Sequence, residues 1–201
     1  MMLDAPTDAF LDWWFVPWAY LPAAGPTDGM LAARDTYRHW CRQAGLAPHI
    51  AEQADWRWQP AALRDADELL QAAELFGGLL AARARRHGEL AELAPQRRRW
   101  CLSVALTQPL ASWRGDLPEP LRLGQRGLLE LAARLELAFP GMWPRLRLLL
   151  PPAEQQALSR FTQAPAAPPR LHDRDRRCWL MCLAQVRAER VLAAMTTMES
   201  R

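Results

Sequence analysis

Cys178 and Cys182 stand one helical turn apart with His172 upstream, a beginning for a zinc site. A structural zinc ion needs four ligands, usually drawn from closely spaced pairs. Here a fourth ligand would have to come from far along the chain. Trp179, Leu180, Met181 and Leu183 surround the two thiols, which predicts buried free cysteines instead. Asp173-Arg174-Asp175-Arg176-Arg177 and Arg34-Asp35 set opposite charges side by side. General acid–base chemistry needs carboxylates that converge in an apolar pocket; alternating charges at helix starts are ordinarily solvated. Glycine-rich phosphate loops, HExxH, Gly-x-Ser-x-Gly and Ca²⁺-loop patterns are absent from the sequence. The expectation is a chain with no catalytic residue, no cofactor and no metal, and so not an enzyme.

Two basic clusters remain, Arg83-Ala84-Arg85-Arg86-His87 and Arg97-Arg98-Arg99. Guanidinium forks pair with phosphates and with acidic protein faces alike. Acidic Glu89 and Glu92 separate the clusters and no aromatic stacking platform accompanies them, so solvated surface or protein contact is favoured over nucleic acid. Ten tryptophans against two tyrosines are the larger anomaly. Trp40, Trp100 and Trp179 fall on helical stripes and read as core. The run Phe10-Leu11-Asp12-Trp13-Trp14-Phe15-Val16-Pro17-Trp18-Ala19-Tyr20-Leu21 is too dense in aromatics for one amphipathic face, and Pro17 interrupts it. It is either a strap packed across the domain or a set of exposed anchors. The candidate partner-binding residues are therefore Trp14, Trp18, Trp56, Trp58, Arg97, Arg98 and Arg99.

The elements that must position these groups are helices. Leu, Ala, Arg, Glu and Gln dominate, and β-branched residues are scarce. Apolar residues recur at three- and four-residue steps over 61–86, through Leu63, Leu69, Leu70, Ala73, Phe76, Leu79 and Leu80. Gly77-Gly78 inside that stripe costs roughly 2 kcal/mol of helix propensity, tolerable where another helix crosses closely. Thr27 and Asp28 offer caps for a helix reaching Gln43, with Gly45 as its stop. Further helices are expected over 96–106 after Pro95, over 124–139, over 152–161 and over 173–195. Arg145 to Leu150 is the best strand candidate. The fold class is all-α: one globular multi-helix domain with proline-rich connections. A helical body over 1–163 precedes a proline-rich linker at 164–172, around Pro165, Pro168 and Pro169, and a helix over 173–201 docks on the body.

The totals agree. The chain has 201 residues, 50% hydrophobic and 23% charged, a globular balance with enough length for a substantial core. No stretch approaches the roughly 20 apolar residues a membrane span needs. Met1-Met2-Leu3-Asp4 lacks a basic n-region, so no secretory signal is expected. The net charge of +3 is made with arginine alone; Lys and Asn are missing and Ile50 is the one isoleucine, which points to GC-rich coding sequence. Four cysteines in such a chain are expected to stay reduced.

Three patches carry a resemblance. They are Phe15-Val16-Pro17-Trp18-Ala19-Tyr20-Leu21, Leu75-Phe76-Gly77-Gly78-Leu79-Leu80 with Arg83, Arg85 and Arg86 after it, and Pro140-Gly141-Met142-Trp143-Pro144-Arg145-Leu146-Arg147-Leu148. Together they resemble the SctK (YscK/PscK/OrgA-like) family, accessory proteins of the bacterial type III secretion sorting platform. The resemblance implies a cytoplasmic, non-enzymatic adaptor. It would link the cytoplasmic domain of the inner-membrane ring protein to the pod protein of the ATPase and cargo complex. It implies no catalytic residue, no nucleic acid and no membrane insertion. Arg97, Arg98 and Arg99 are the expected contact with the ring protein or another acidic partner. The rival classes are a helical nucleic-acid-binding regulator, which needs a basic recognition face where the region 48–55 is neutral to acidic, and a small helical enzyme.

Overall fold

The computed structural model describes residues 5–21, 33–108, 110–114, 121–160 and 172–199. Among these the regular structure is helical, without a strand. The helices are α1 (Asp8–Phe15), α2 (Ala33–Ala44), α3 (Ala66–Arg83), α4 (Pro95–Thr107), α5 (Leu123–Ala138), α6 (Met142–Arg147), α7 (Pro152–Ser159) and α8 (His172–Glu199). Short 3₁₀ turns cover Pro17–Ala19, Trp56–Ala61 and Glu89–Glu92. The expected all-α class is what the chain adopts. Residues 164–171 of the expected linker, and the caps Thr27 and Asp28, lie outside the described residues. Contacts group the chain into two compact units: unit 1 is Met1–Ala66 with Leu135–Gln155, and unit 2 is Asp67–Arg134 with Gln156–Arg201.

Unit 1 is built on aromatics. The Thr7 hydroxyl caps α1 by accepting from the Phe10 amide, and Asp8 complements the helix dipole in the first turn. Pro17 ends the helix because proline cannot donate and restricts the residue before it. Phe10, Trp13 and Trp14, at the i, i+3, i+4 spacing of one face, are all buried. Their rings pack on one another, Phe10 also meets Trp56 and Phe139, and Trp14 also meets Phe139, at separations of 5.3–6.2 Å. Trp13 Nε1 donates to the Leu63 carbonyl at 2.7 Å, and Tyr20 stacks on the Trp13 ring while donating its hydroxyl to the Trp13 carbonyl. The Asp55 carboxylate caps the turn that carries Trp56 and Trp58, and the Asp55 amide donates to the Ala138 carbonyl. α2 closes as expected at Gly45, whose φ of +66° is followed by Leu46 N–H to Cys41 O at 2.8 Å and Gly45 N–H to Arg42 O at 3.3 Å.

The strand expected at Arg145–Leu150 is instead the end of α6 and the turn after it. A short apolar alternation fits either period, and the local entry decides. Gly141 takes φ +89°, where a β-carbon would also press on the Trp14 ring at 3.1 Å. Pro144 then sits in the first helical turn, where its missing N–H is not needed.

Unit 2 is held by a close helix crossing. A β-carbon on Gly77 of α3 would overlap the Leu123 carbonyl, and one on Gly127 of α5 would overlap the Ala73 carbonyl. At Gly78 a β-carbon would instead meet side chains, the Cys101 sulfur of α4 and a Leu93 methyl, at 2.9 Å each. The glycine pair is therefore the crossing point that its propensity cost implied. On α8, Asp175, Cys178, Trp179, Cys182, Leu183 and Val186 form one buried stripe, and Trp179 meets Phe76 edge-on at 5.6 Å.

At the centre of unit 2 lies a polar network. Arg134 lies between the rings of Phe76 and Trp113, with its guanidinium carbon 5.2 and 4.6 Å from their centroids. It pairs with Glu130 and, at 3.2 Å, with Asp175. Glu130 accepts from the Ser112 hydroxyl and from the Trp113 and Arg114 amides. Arg134, Glu130 and Asp175 are all essentially buried, so the Asp173–Arg177 alternation is not wholly solvated: Asp175 answers Arg134. Burial pushes the Glu130 carboxyl up, but the Arg134 charge and these hydrogen bonds outweigh it and hold the group below the usual carboxylate range. A depressed folded-state pKa means the stabilisation is present above the unfolded value, about 4.3, and is lost as pH falls through the folded value. The melting temperature is therefore expected to fall between about pH 5 and pH 3. Glu130→Gln should begin lower and fall less over the same range. Parallel melting curves for the two proteins would contradict this.

Candidate interaction surface

The seven candidate residues divide sharply. Trp14 and Trp58 have relative exposures of 0% and 1% and belong to the unit 1 core, so they cannot serve as exposed anchors. The reason is the α1 periodicity for Trp14 and the Asp55-capped turn for Trp58, each of which directs its ring inward. Trp56 is half-buried, edge-on to Phe10 and Phe139. Arg97 is committed internally, pairing with Glu74 of α3 and Glu189 of α8 at 2.7 Å each and reaching Gln71. Burial works against its charge, but these two carboxylates prevail and raise its pKa. Arg98 leans on the Leu93 carbonyl at 3.4 Å, and Arg99 is exposed. The cluster is thus partly a brace among α3, α4 and α8 and not a free basic patch.

Trp18 lines an open groove of about 400 Å³ in unit 1. Phe15 and Val16 from the end of α1, Tyr37 from α2, and Pro48 form the rest of its apolar lining; Arg34 and Arg38 supply cationic groups, and His49 completes the polar part. Periodicity and the proline break together explain the split within the aromatic run. Phe10, Trp13 and Trp14 follow the inner face of α1, and Phe15 ends that helix on its exposed side. The break at Pro17 takes Trp18 off the face it would share with Trp14 in a continuous helix. Phe15 is 40% exposed and edge-on to Tyr37 at 5.2 Å. Arg34 and Arg38 lie one turn apart on α2, flanking the position of Tyr37 on the same face.

The groove has a rigid back. Arg145 is fully buried and stacks its guanidinium 3.6 Å from the Trp14 ring centroid. Its two terminal nitrogens donate to the Gly141 carbonyl at 3.1 Å, the Tyr37 hydroxyl at 2.6 Å and the Ala47 carbonyl at 2.8 Å. Tyr37 in turn donates to the Pro48 carbonyl at 3.0 Å. Burial pushes the Tyr37 hydroxyl well above the usual phenol range despite the nearby Arg145 charge, so it remains a protonated donor. Sequence reading missed Phe15, Arg34, Tyr37, Arg38, Pro48 and His49 as one surface. The available signal was the shared α2 face of positions 34, 37 and 38.

A second exposed apolar surface lies in unit 2, on the last turns of α8. Val191, Met195 and Met198 repeat at helical spacing with Leu192 beside them, each more than half exposed. The cysteines offer no reactive group: all four are free and buried. Burial pushes the Cys101 thiol up to about 12 and Cys178 to about 11. Among the described residues no three His, Cys, Asp or Glu side chains gather as a metal site, and no helix is long and apolar enough to cross a membrane. Compared with protein-family models, curated proteins and solved structures, the chain matches none.

Proposed function

We propose that this chain is a non-catalytic adaptor joining two protein partners in the sorting platform of a type III secretion apparatus. It would bridge the inner-membrane ring protein's cytoplasmic domain and the pod protein at the cytoplasmic face of a Gram-negative cell. The observation that carries the reading is that each compact unit has an exposed apolar surface of its own: the cation-rimmed groove of unit 1 and the tip of α8 in unit 2. A bridge needs two such surfaces, and exposed apolar patches mark interaction sites. The partner identities come from the sequence resemblance.

Co-expression with tagged ring-protein and pod-protein domains tests the reading. The full chain should retain both. Deleting residues 191–201 removes helical turns that are exposed over 191–198, so the melting temperature should stay within about 2 °C while one of the two partners is lost. If the intact chain retains neither partner, the adaptor reading falls; retention on heparin under those conditions would favour a nucleic-acid binder.

A further inference from the structure

We propose that the unit 1 groove is a docking site for an acidic segment of a partner protein that inserts a large aromatic or aliphatic side chain. The proposal rests on the adaptor reading and adds to it the chemistry of one partner. Three features of the groove select this occupant.

First, most of the lining is apolar: Phe15, Val16, Trp18, the Tyr37 ring and Pro48 present carbon surface in a space of about 400 Å³. That volume suits a large side chain with part of its backbone, at the lower end of the range for ligand clefts. Aromatic anchors that fill such pockets dominate interface energetics.

Second, the charged lining has a single sign. Arg34 and Arg38 are exposed, and among the described residues no carboxylate lines the groove. Among the described residues neither arginine forms an ion pair, in contrast to Arg97, Arg134 and Arg187 of unit 2, each held by a carboxylate. Two guanidinium groups one turn apart over an apolar floor complement carboxylates flanking an inserted side chain. A purely apolar partner would leave them desolvated without compensation, and a basic partner would be repelled.

Third, the floor is fixed before anything binds. Tyr37 is held from behind by Arg145 and tied to Pro48, Phe15 packs edge-on against it, and Trp40 stacks on its other side. A preformed floor lowers the ordering cost of association.

The test uses the purified full chain and three fluorescently labelled peptides in an anisotropy titration. The first is acidic-aromatic, Glu-Asp-Trp-Leu-Glu-Asp. The second replaces its acids with Arg, and the third replaces Trp and Leu with Ala. The first peptide should bind with a Kd on the order of 10 μM, weakening with salt. The other two should bind at least about tenfold more weakly. The exposed-site double variant Arg34→Glu/Arg38→Glu should weaken the first peptide by about tenfold or more, with an unchanged melting curve. Trp18→Ala should do the same through the apolar floor. Several results would overturn the proposal. These are no binding of the acidic-aromatic peptide, equal binding by the double variant, or equal binding of the Ala peptide. Equally tight binding of free indole-3-acetate would assign the groove to a small molecule instead. Binding that appears only after residues 22–32 are replaced by a Gly-Ser linker would assign it to the chain's own segment. If the peptides fail while the full chain still retains ring and pod proteins, the groove proposal falls and the adaptor reading stands.

Discussion

Gly127→Ala is expected to destabilise the protein by about 3 kcal/mol or more, although helix propensity alone favours the change by about 1 kcal/mol. The two effects act on the same residue with opposite sign, and geometry decides between them. A β-carbon at 127 lands on the Ala73 carbonyl and 3.0 Å from the Gly77 amide nitrogen, both backbone atoms of α3. Backbone in the middle of an 18-residue helix cannot rotate aside as a side-chain tip can. The helices must separate, and the contacts along the whole crossing weaken together. Gly124 lies three residues earlier on α5, and a β-carbon there would meet nothing within 4 Å. Gly124→Ala should therefore be neutral or stabilising by up to about 1 kcal/mol. Urea unfolding of the two variants separates the explanations: if both shift in the same direction, close approach is not what demands glycine at 127.

Arg145→Ala should cost about 3–5 kcal/mol, near the upper end for a single substitution. The guanidinium lies inside unit 1, and among the described residues no carboxylate pairs with it. Carbonyl oxygens of Gly141 and Ala47, the Tyr37 hydroxyl and the Trp14 face answer its charge instead. Truncation removes the charge-assisted bonds to two carbonyls and the buried Tyr37 hydroxyl, while opening a cavity beneath the Trp14 indole. Arg145→Lys keeps the charge but gathers its donors on one nitrogen and cannot stack flat on Trp14, so it should recover only part of the loss. Tryptophan fluorescence during urea unfolding reads the effect directly, since Trp13, Trp14, Trp18, Trp40, Trp56, Trp58 and Trp143 all belong to unit 1. A loss below about 1 kcal/mol for Arg145→Ala would show that Arg145 is a tolerated passenger and not the support of the groove.

Much of the helical framework was legible because its signals are local. Pro95 opens α4, Gly45 terminates α2 in the left-handed region, and the stripe from Cys178 to Val186 marks the inner face of α8. The Gly77-Gly78 pair even announced a crossing, since so costly a sequence survives in a helix only where something approaches. The candidate surface was less legible. Trp14 and Trp18 look alike as residue types, and only the bend at Pro17 sends one ring into the core and the other to the groove. Arg97, Arg98 and Arg99 look alike too, yet Glu74 and Glu189 arrive from other helices to engage the first of them.

The sequence by itself determined the all-helical class, the approximate limits of most helices and the burial of Cys178 and Cys182, because propensity, capping and three-to-four periodicity act within a few residues. Only the tertiary structure decided where the charges go. It turned the expected strand at Arg145 into a helix that delivers a buried guanidinium, and it brought Asp175 to Arg134. It also set Arg34 and Arg38 beside Trp18 without a partner among the described residues. An arginine's role depends on which oxygen or ring reaches it from distant chain, as Tyr37 reaches Arg145 across 108 positions. No local pattern encodes that meeting.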